Sequence, residues 1–399
     1  MIINDKRALA YTVTVDEIRP IPGYDRVEHA RVGGWWIIVA KADNIKPGDM
    51  CVYFEVDSKV PATDDRFAFL EKRNYKIKTL NMCKVFSQGL LMPIALFPEL
   101  GANPEIHTDV TDTLGIKYAV DEDNERKAVK VNKDKKYQSM AARHAKLFKK
   151  PFFRWLMRRE WGRKLLFAIF GKKKDNPRGW PTGRFPGVSK TDQERCENMV
   201  WVLEDKTPWI RTQKCDGTSG TYILERKPRG KYEFYVCSRN VRMADKDQEC
   251  FYGSDNYYWE AAIKYDIENK MRQYLEDHPE LTFVCWQGEI CGPGIQKNPH
   301  GLSDLHLFCF HMTDDTGRYD IRKAAEIWRS FDMEVVPIDE AEYILPNDFE
   351  EFKATADGVY DASVCEGKTD QRREGYVYYS IADPARSFKN VSRKYLLEH

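Results

Sequence analysis

Between Arg143 and Lys174 the chain places twelve Lys or Arg residues against a single acid, Glu160. This stretch separates two regions of different patterning, and at 399 residues two domains are the default expectation, although the chain is long enough to form one large core. Ahead of it, residues 1 to about 125 read as β-rich. Trp35–Ala40 is a short apolar, β-branched run followed by a Lys46-Pro47-Gly48-Asp49 turn, and Met50–Val56 has the pattern of a hairpin's second strand. Shorter runs at Cys83–Phe86 and Leu90–Ile94 are separated by Gly, Ser and Gln. Many short strands with frequent turns suggest a small barrel, OB-like by preference, with an SH3-like barrel as the alternative.

The basic stretch interleaves Phe148, Phe152, Trp155, Leu156, Trp161, Leu165, Leu166 and Ile169, mostly three to five residues apart. That spacing predicts one or two amphipathic helices, interrupted near Pro151 and Gly162 and ended by Gly171-Lys172-Lys173-Lys174. Such helices can pack on a neighbouring domain, grip a phosphate backbone, lie on an anionic membrane or bind a partner.

Past Pro177 and Pro181 the pattern becomes mixed. Apolar residues at 259, 263, 267, 271 and 274/275 form a helical stripe from Trp259 to Leu275. Asp320 precedes a helix with Ile321, Ala325, Trp328 and Phe331 on one face. Strand-like segments (Gly220–Leu224, Tyr232–Cys237, Thr282–Trp286, Leu305–Phe310, Tyr376–Ser380) do not alternate regularly with helices. An antiparallel α+β class is therefore expected over a doubly wound sheet. The expected division is a barrel domain at 1–125, a basic, partly helical linker or insertion at 126–180, and an α+β domain at 181–399.

With 63 basic and 62 acidic residues, a nucleic-acid partner must be served by local patches and not by bulk charge. Ten cysteines contain no C-x-x-C pair, and the eight histidines do not cluster with them. Reduced thiols and no structural zinc are the expectation. Met1–Lys6 shows neither a signal-peptide nor a transit-peptide pattern, and no apolar run approaches the roughly eighteen residues of a membrane span. A cytoplasmic, untargeted protein is expected, with a monomer as the default state.

The chemistry centres on Lys214-Cys215-Asp216-Gly217-Thr218-Ser219. A lysine that attacks an α-phosphate must lose its proton, although its ordinary pKa is near 10.4, so nearby cations or a metal should depress that value. The phosphate charge must be neutralised, and a carboxylate must hold the metal. Downstream residues supply candidates in order. Arg239 follows a strand, and Glu289 stands at the end of the Phe283–Trp286 strand before the Gly-rich Gly292-Pro293-Gly294 turn. Phe308 and Phe310 offer rings for a base, Glu374 enters a strand, and Lys389 and Lys394 lie in a lysine-rich segment at 387–395. Taken singly, each has a plain structural use as a turn, an ion pair, a core ring or a solvated charge. Their order and spacing together are what independent accidents rarely reproduce.

That series resembles the covalent nucleotidyltransferase superfamily of RNA ligases, DNA ligases and capping enzymes. Gly288–Gln296 is similar to the RNA-ligase form of one of its motifs, and the chain stops a few residues after the last one. Gly34-Trp35, Gly48-Asp49, Val52–Ser58, Ser87–Leu90 and Lys190–Arg195 resemble the leading part of Deinococcus-type RNA ligases, which carry an N-terminal OB-like domain. The basic segment has no counterpart. The resemblance implies a nucleotidyltransferase domain of antiparallel sheets with flanking helices. It implies Lys214 as the nucleophile that forms lysyl–AMP from ATP, with Asp216 and Gly217 shaping its loop. Arg239 and Glu289 would contact the ribose side, and Phe310, with Phe308 as alternative, would stack on adenine. Glu374 would hold Mg²⁺ or Mn²⁺, and Lys389 would neutralise the α-phosphate. Gln213 stands where related ligases often carry an acid and would border the nucleotide. Lys394 lies five residues past Lys389, where the family usually has two lysines on one strand face.

The implied activity is ATP-dependent joining of a 3′-hydroxyl to a 5′-phosphate on RNA, or on an RNA-containing duplex with a nick or break. A DNA ligase, a capping-type enzyme and a catalytically silent nucleic-acid-binding protein are the alternatives.

Overall fold

A computed structural model describes residues 1–3, 6–101, 104–119, 150–157, 159–170, 178–181, 183–190, 193–243, 256–367 and 370–398. In the N-terminal third, β1 (Ala10–Thr14), β2 (Glu17–Ile21), β3 (Tyr24–Val32), β4 (Trp35–Ala40), β5 (Met50–Phe54) and β6 (Leu90–Pro93) form two antiparallel sheets. Their orders are β6-β5-β1 and β2-β3-β4. The expected β4–β5 hairpin does not form: β4 pairs with β3, and β5 lies between β1 and β6. The reason is in β5 itself. Cys51 and Tyr53 enter one core with Trp35 and Ile37, while Val52 and Phe54 enter a second with Phe67 and Phe97. A strand buried on both faces needs a neighbour on each edge, which a simple hairpin does not provide.

The basic segment contributes α1 (Pro151–Met157) and α2 (Glu160–Phe170). Pro151 opens α1 instead of interrupting it, as its fixed φ and missing N–H allow at a first helical position. Gly162 lies inside α2. A side chain there would collide with the carbonyl of Leu156, so the glycine allows the two helices to approach. Leu156 and Leu166 are buried, whereas Phe152, Trp155, Trp161 and Leu165 are exposed. Phe148 and the Gly171–Lys174 stop lie outside the described residues.

The C-terminal region is built on two sheets. The larger contains β8 (Thr218–Lys227), β9 (Lys231–Cys237), β10 (Phe283–Cys291) and β11 (His306–Asp314), in the order β9-β8-β10-β11 with short strands at its edges. The smaller contains β7 (Trp209–Lys214), β12 (Gly375–Ser380) and β13 (Ser387–Val391), in the order β13-β12-β7, with Glu194–Arg195 parallel to β13 at one edge. Helices α3 (Tyr257–Lys264), α4 (Ile267–Asp277) and α5 (Ile321–Ser330) cover one face of the larger sheet through Ala261, Met271, Leu275, Ala324 and Trp328. The single stripe expected from Trp259 to Leu275 is two helices. Asp266 takes a left-handed φ of 49° between them and leaves Ile263 64% exposed. Asp320 caps α5 as expected, accepting from the Arg322 and Lys323 amides. Two short helices, α6 (Phe349–Ala354) and α7 (Arg393–Glu398), complete this region.

The strap at 194–198 joins the two regions. Asn198 accepts from Trp35 Nε1 at 2.6 Å and donates to Glu55 at 3.2 Å, while Gly34 N–H donates to the Glu197 carbonyl at 2.8 Å. Lys353 Nζ lies 2.8 Å from Glu197, both almost fully buried. No described helix is long and apolar enough to cross a membrane.

Candidate functional site

Lys214 ends β7, opposite Gly375 on β12. The chain then turns through Asp216 and Gly217 into β8, whose first residues pair with β10 (Thr218 with Ile290, Ser219 with Glu289). The turn admits only glycine at 217, because a side chain would collide with the Ile290 carbonyl and press on Cys291. Gly217 N–H donates to Glu289 Oε1 at 3.2 Å. Glu289 therefore lies within β10, which runs on to Cys291, and not at a strand end as expected.

Glu374 immediately precedes β12, and its Oε2 accepts from Lys214 Nζ at 2.7 Å. Burial alone would lower the Lys214 pKa, but the attraction of Glu374, Glu289 and Asp216 outweighs it and raises the amine well above the usual lysine range. This is the reverse of the depressed value expected. The carboxylates that can hold a cation here hold the ammonium. Burial, with Glu374 and Asp216 adding to it, pushes the Glu289 carboxyl up to about 8. Among the described residues no three His, Cys, Asp or Glu side chains converge on one metal position. Glu374 and Glu289 are nonetheless the hard oxygen donors that Mg²⁺ or Mn²⁺ takes, usually one or two from protein.

Lys389 shares a face of the smaller sheet with Lys214. Directly opposed residues point the same way, and Lys389 opposes Val377, which opposes Thr212, two residues before Lys214. Two strands across and two residues along puts the lysine Cα atoms roughly 12 Å apart, within reach of one shared phosphate. Phe310 occupies a β-bulge. Gln287 opposes His311 and Gly288 opposes Cys309, so Phe310 has no partner on β10. Bulges re-aim a side chain. Phe308 is fully buried with Cys215 and Cys291, while Phe310 packs at the rim of that cluster and stays partly exposed.

Other expected residues have contacts of their own elsewhere. Gln213 points to the opposite face, and its Oε1 accepts from the Asp361 amide at 2.9 Å. The Arg239 guanidinium lies 5.9 Å from the ring of Tyr118, in the N-terminal region. Lys394 is on α7, beyond β13, and pairs with Asp357 at 2.7 Å. Two further residues join the site: His300, which no motif marks, and Tyr395, the last residue of the lysine-rich segment. His300 Nε2 accepts from the Asp216 amide at 3.1 Å, and the Tyr395 hydroxyl donates to the Asp216 carboxylate.

Residues 207–395 match a family model described as RNA ligase, and residues 9–94 match an OB-fold domain. The whole chain superposes on Naegleria gruberi RNA ligase with PPi, with a TM-score of 0.71 and 25% identity over 99% of both chains. A lysine-to-alanine variant of that ligase with ATP and Mn matches at a TM-score of 0.71 and 26% identity, over 98% of both chains. A lysine-to-methionine variant with AMP and Mn matches at a TM-score of 0.71 and 26% identity, over 98% of this chain and 99% of that one. No curated protein matches the chain by sequence.

Proposed function

We propose that this chain, which belongs to the RNA ligase family, is an ATP-dependent ligase that joins 3′-hydroxyl and 5′-phosphate ends of RNA. The observation that carries the reading is the contact of Lys214 with Glu374 beside Glu289 and Asp216. It puts an amine nucleophile beside Glu374 and Glu289, the hard oxygen donors that a divalent cation takes, usually one or two from protein.

In the first step the Lys214 amine attacks the α-phosphorus of ATP. The N–P bond forms, the bond to the bridging oxygen breaks, and pyrophosphate leaves. AMP then passes to a 5′-phosphate, and a 3′-hydroxyl displaces it. Each step is phosphoryl transfer, governed by positioning and charge. Lys389 neutralises the α-phosphate, and Phe310 offers a ring to adenine. Glu374 and Glu289 would hold Mg²⁺ or Mn²⁺, which would supply Lewis-acid charge and favour the neutral amine. Before attack Lys214 must give up its proton and leave Glu374. Arg239, Gln213 and Lys394 each have another contact in the structure. We keep them as contacts made on substrate binding, with Asp216 and Gly217 shaping the loop.

A division into residues 1–125, 126–180 and 181–399 is supported by the apolar clusters, since those of the first third and of the last part share no residue. The leading domain and the basic α1–α2 hairpin hold a nicked or broken RNA-containing duplex, mainly through phosphates. Free cysteines throughout the described residues suit a reducing, cytoplasmic setting, and a monomer suffices for this chemistry.

The test is incubation with α-labelled ATP and Mg²⁺ or Mn²⁺. Wild type should carry AMP and Lys214→Ala should not. An unlabelled wild type that still binds RNA would point to a silent binding protein.

A further inference from the structure

The turn that carries Lys214 is tied to a helix on the far side of the larger sheet. Ser219 opposes Glu289 and shares its face, so Thr218, Gly220 and Tyr222 project to the other one, where α3 and α4 pack. The hydroxyls of Thr218 and Tyr258 share a hydrogen bond of 2.9 Å. The Tyr258 carbonyl accepts from the Tyr222 hydroxyl at 3.1 Å, so two side chains of β8 hold one residue of α3. Gly220 lies between them, and a side chain there would stand 3.1 Å from the Tyr222 hydroxyl and crowd it. Asn256 caps α3, its side chain accepting from the Trp259 amide at 3.3 Å, and so fixes the helical turn that bears Tyr257 and Tyr258. Tyr257 fits against Gly294, whose left-handed φ of 84° and missing side chain make room for the phenol. Gly294 belongs to the same β10–β11 loop as His300, which receives the Asp216 amide. The first turn of α3 therefore touches both loops that meet at Asp216.

We propose that Tyr258 is a positioning residue for Lys214, anchoring the start of β8 through the Thr218 hydroxyl. The inference rests on the reading of Lys214 as nucleophile. Attack needs the amine in line with the phosphorus, and a misplacement of about 1 Å can cost about a hundredfold. Lys214 and Thr218 are the two ends of one tight turn, so a shift of β8 at Thr218 moves the lysine. The ladder between β8 and β10 lies in the plane of the sheet and resists displacement out of that plane least. The hydroxyl pair acts in that direction. Tyr258 stands on the face away from Glu289, so its effect on the amine passes through Thr218.

The experiment measures single-turnover adenylylation with α-labelled ATP in Tyr258→Phe, Thr218→Val, their double variant and Thr218→Ser. Either of the first two should slow the step about tenfold at saturating ATP, short of a hundredfold because β8 stays paired with β10. KM for ATP should move less than about twofold, since Phe310 and Lys389, read as gripping the nucleotide, lie on β11 and β13. The double variant should be no slower than the singles, which assigns the loss to the shared hydrogen bond whatever else either side chain touches. Thr218→Ser, which returns the hydroxyl, should regain most of the rate. Amide hydrogen exchange needs no activity. It should speed up in the peptide spanning 214–218 in both single variants while β10 and β11 stay protected. Full rates in both singles, losses that multiply in the double variant, or exchange that rises across the whole sheet would overturn the proposal. If wild type takes up no AMP, the nucleophile reading fails on its own, and exchange still decides whether Tyr258 holds the turn.

Discussion

Lys214 Nζ and Glu374 Oε2 are 2.7 Å apart, so the nucleophile and the carboxylate read as the cation's main ligand are paired with each other. The pair makes opposite predictions for two roles of Glu374. If the carboxylate only restrains the amine, Glu374→Gln frees it and adenylylation speeds up. If it holds the cation, the same change slows adenylylation although the amine is easier to deprotonate. We expect the second, with a loss of about a hundredfold or more, as for removal of a main charge-stabilising group. Single-turnover labelling with Mg²⁺ and with Mn²⁺ measures it.

Glu289 sets a pH dependence. Its carboxyl is pushed up to about 8, so below that pH it holds a proton that a cation must expel. Apparent cation affinity should rise about tenfold per pH unit up to about pH 8 and flatten above it. Proton uptake by the buffer on cation binding, measured by calorimetry at two pH values, checks the sign. Glu289→Gln should abolish the slope.

The pairing of Lys353 with Glu197 tests the strap that joins the two regions. Both are almost fully buried at 2.8 Å. Lys353→Met leaves Glu197 charged without its lysine and should cost about 3–5 kcal/mol of stability, read by denaturant or thermal unfolding. Burial raises the Glu197 pKa, but the attraction of Lys353 and Arg195 outweighs it and lowers the value below the ordinary 4.5. The folded state thus binds fewer protons than the unfolded one there. Its contribution is complete above the ordinary carboxylate value and is lost as pH falls through the lowered one. Lys353→Met together with Glu197→Gln should recover part of the loss.

The residues legible in the sequence were those whose chemistry dictates their neighbours in the chain. Lys214, Asp216 and Gly217 form one turn, and Glu374 enters a strand as its pattern requires. The Asp320 cap was legible for the same reason. Pairing over distance was not. The unbroken apolar run Met50–Phe54 is compatible with burial on both faces, but it does not name the strands on either side of β5, and the turn after Trp35–Ala40 reads as a hairpin. The α3–α4 break depends on one residue, Asp266, in a left-handed conformation that an Asp does not advertise. His300 carries no local signal, and Tyr395 closes the lysine-rich segment with nothing local to name its partner. They matter only because the fold brings positions 84 and 179 residues away onto Asp216.

The α1–α2 hairpin gives the last prediction. Trp155 stands under Arg159 at 4.3 Å and edge-on to Trp161 at 6.0 Å, and both indoles are exposed. Among the described side chains of the hairpin, Leu156 and Leu166 are already covered, so what this surface offers is mainly aromatic faces among cations. Stacking of unpaired bases contributes about 1–3 kcal/mol per base, and every base has a face to stack. Trp155→Ala combined with Trp161→Ala should therefore weaken binding of single-stranded RNA about tenfold or more. AMP labelling at Lys214 should stay unchanged, because neither ring is part of that site. Fluorescence anisotropy with a labelled oligonucleotide, at two salt concentrations, measures the loss. Sedimentation with anionic vesicles in parallel separates this role from membrane attachment. Wild type that pellets with vesicles, and a double variant that keeps full RNA affinity, would assign the hairpin to lipid instead.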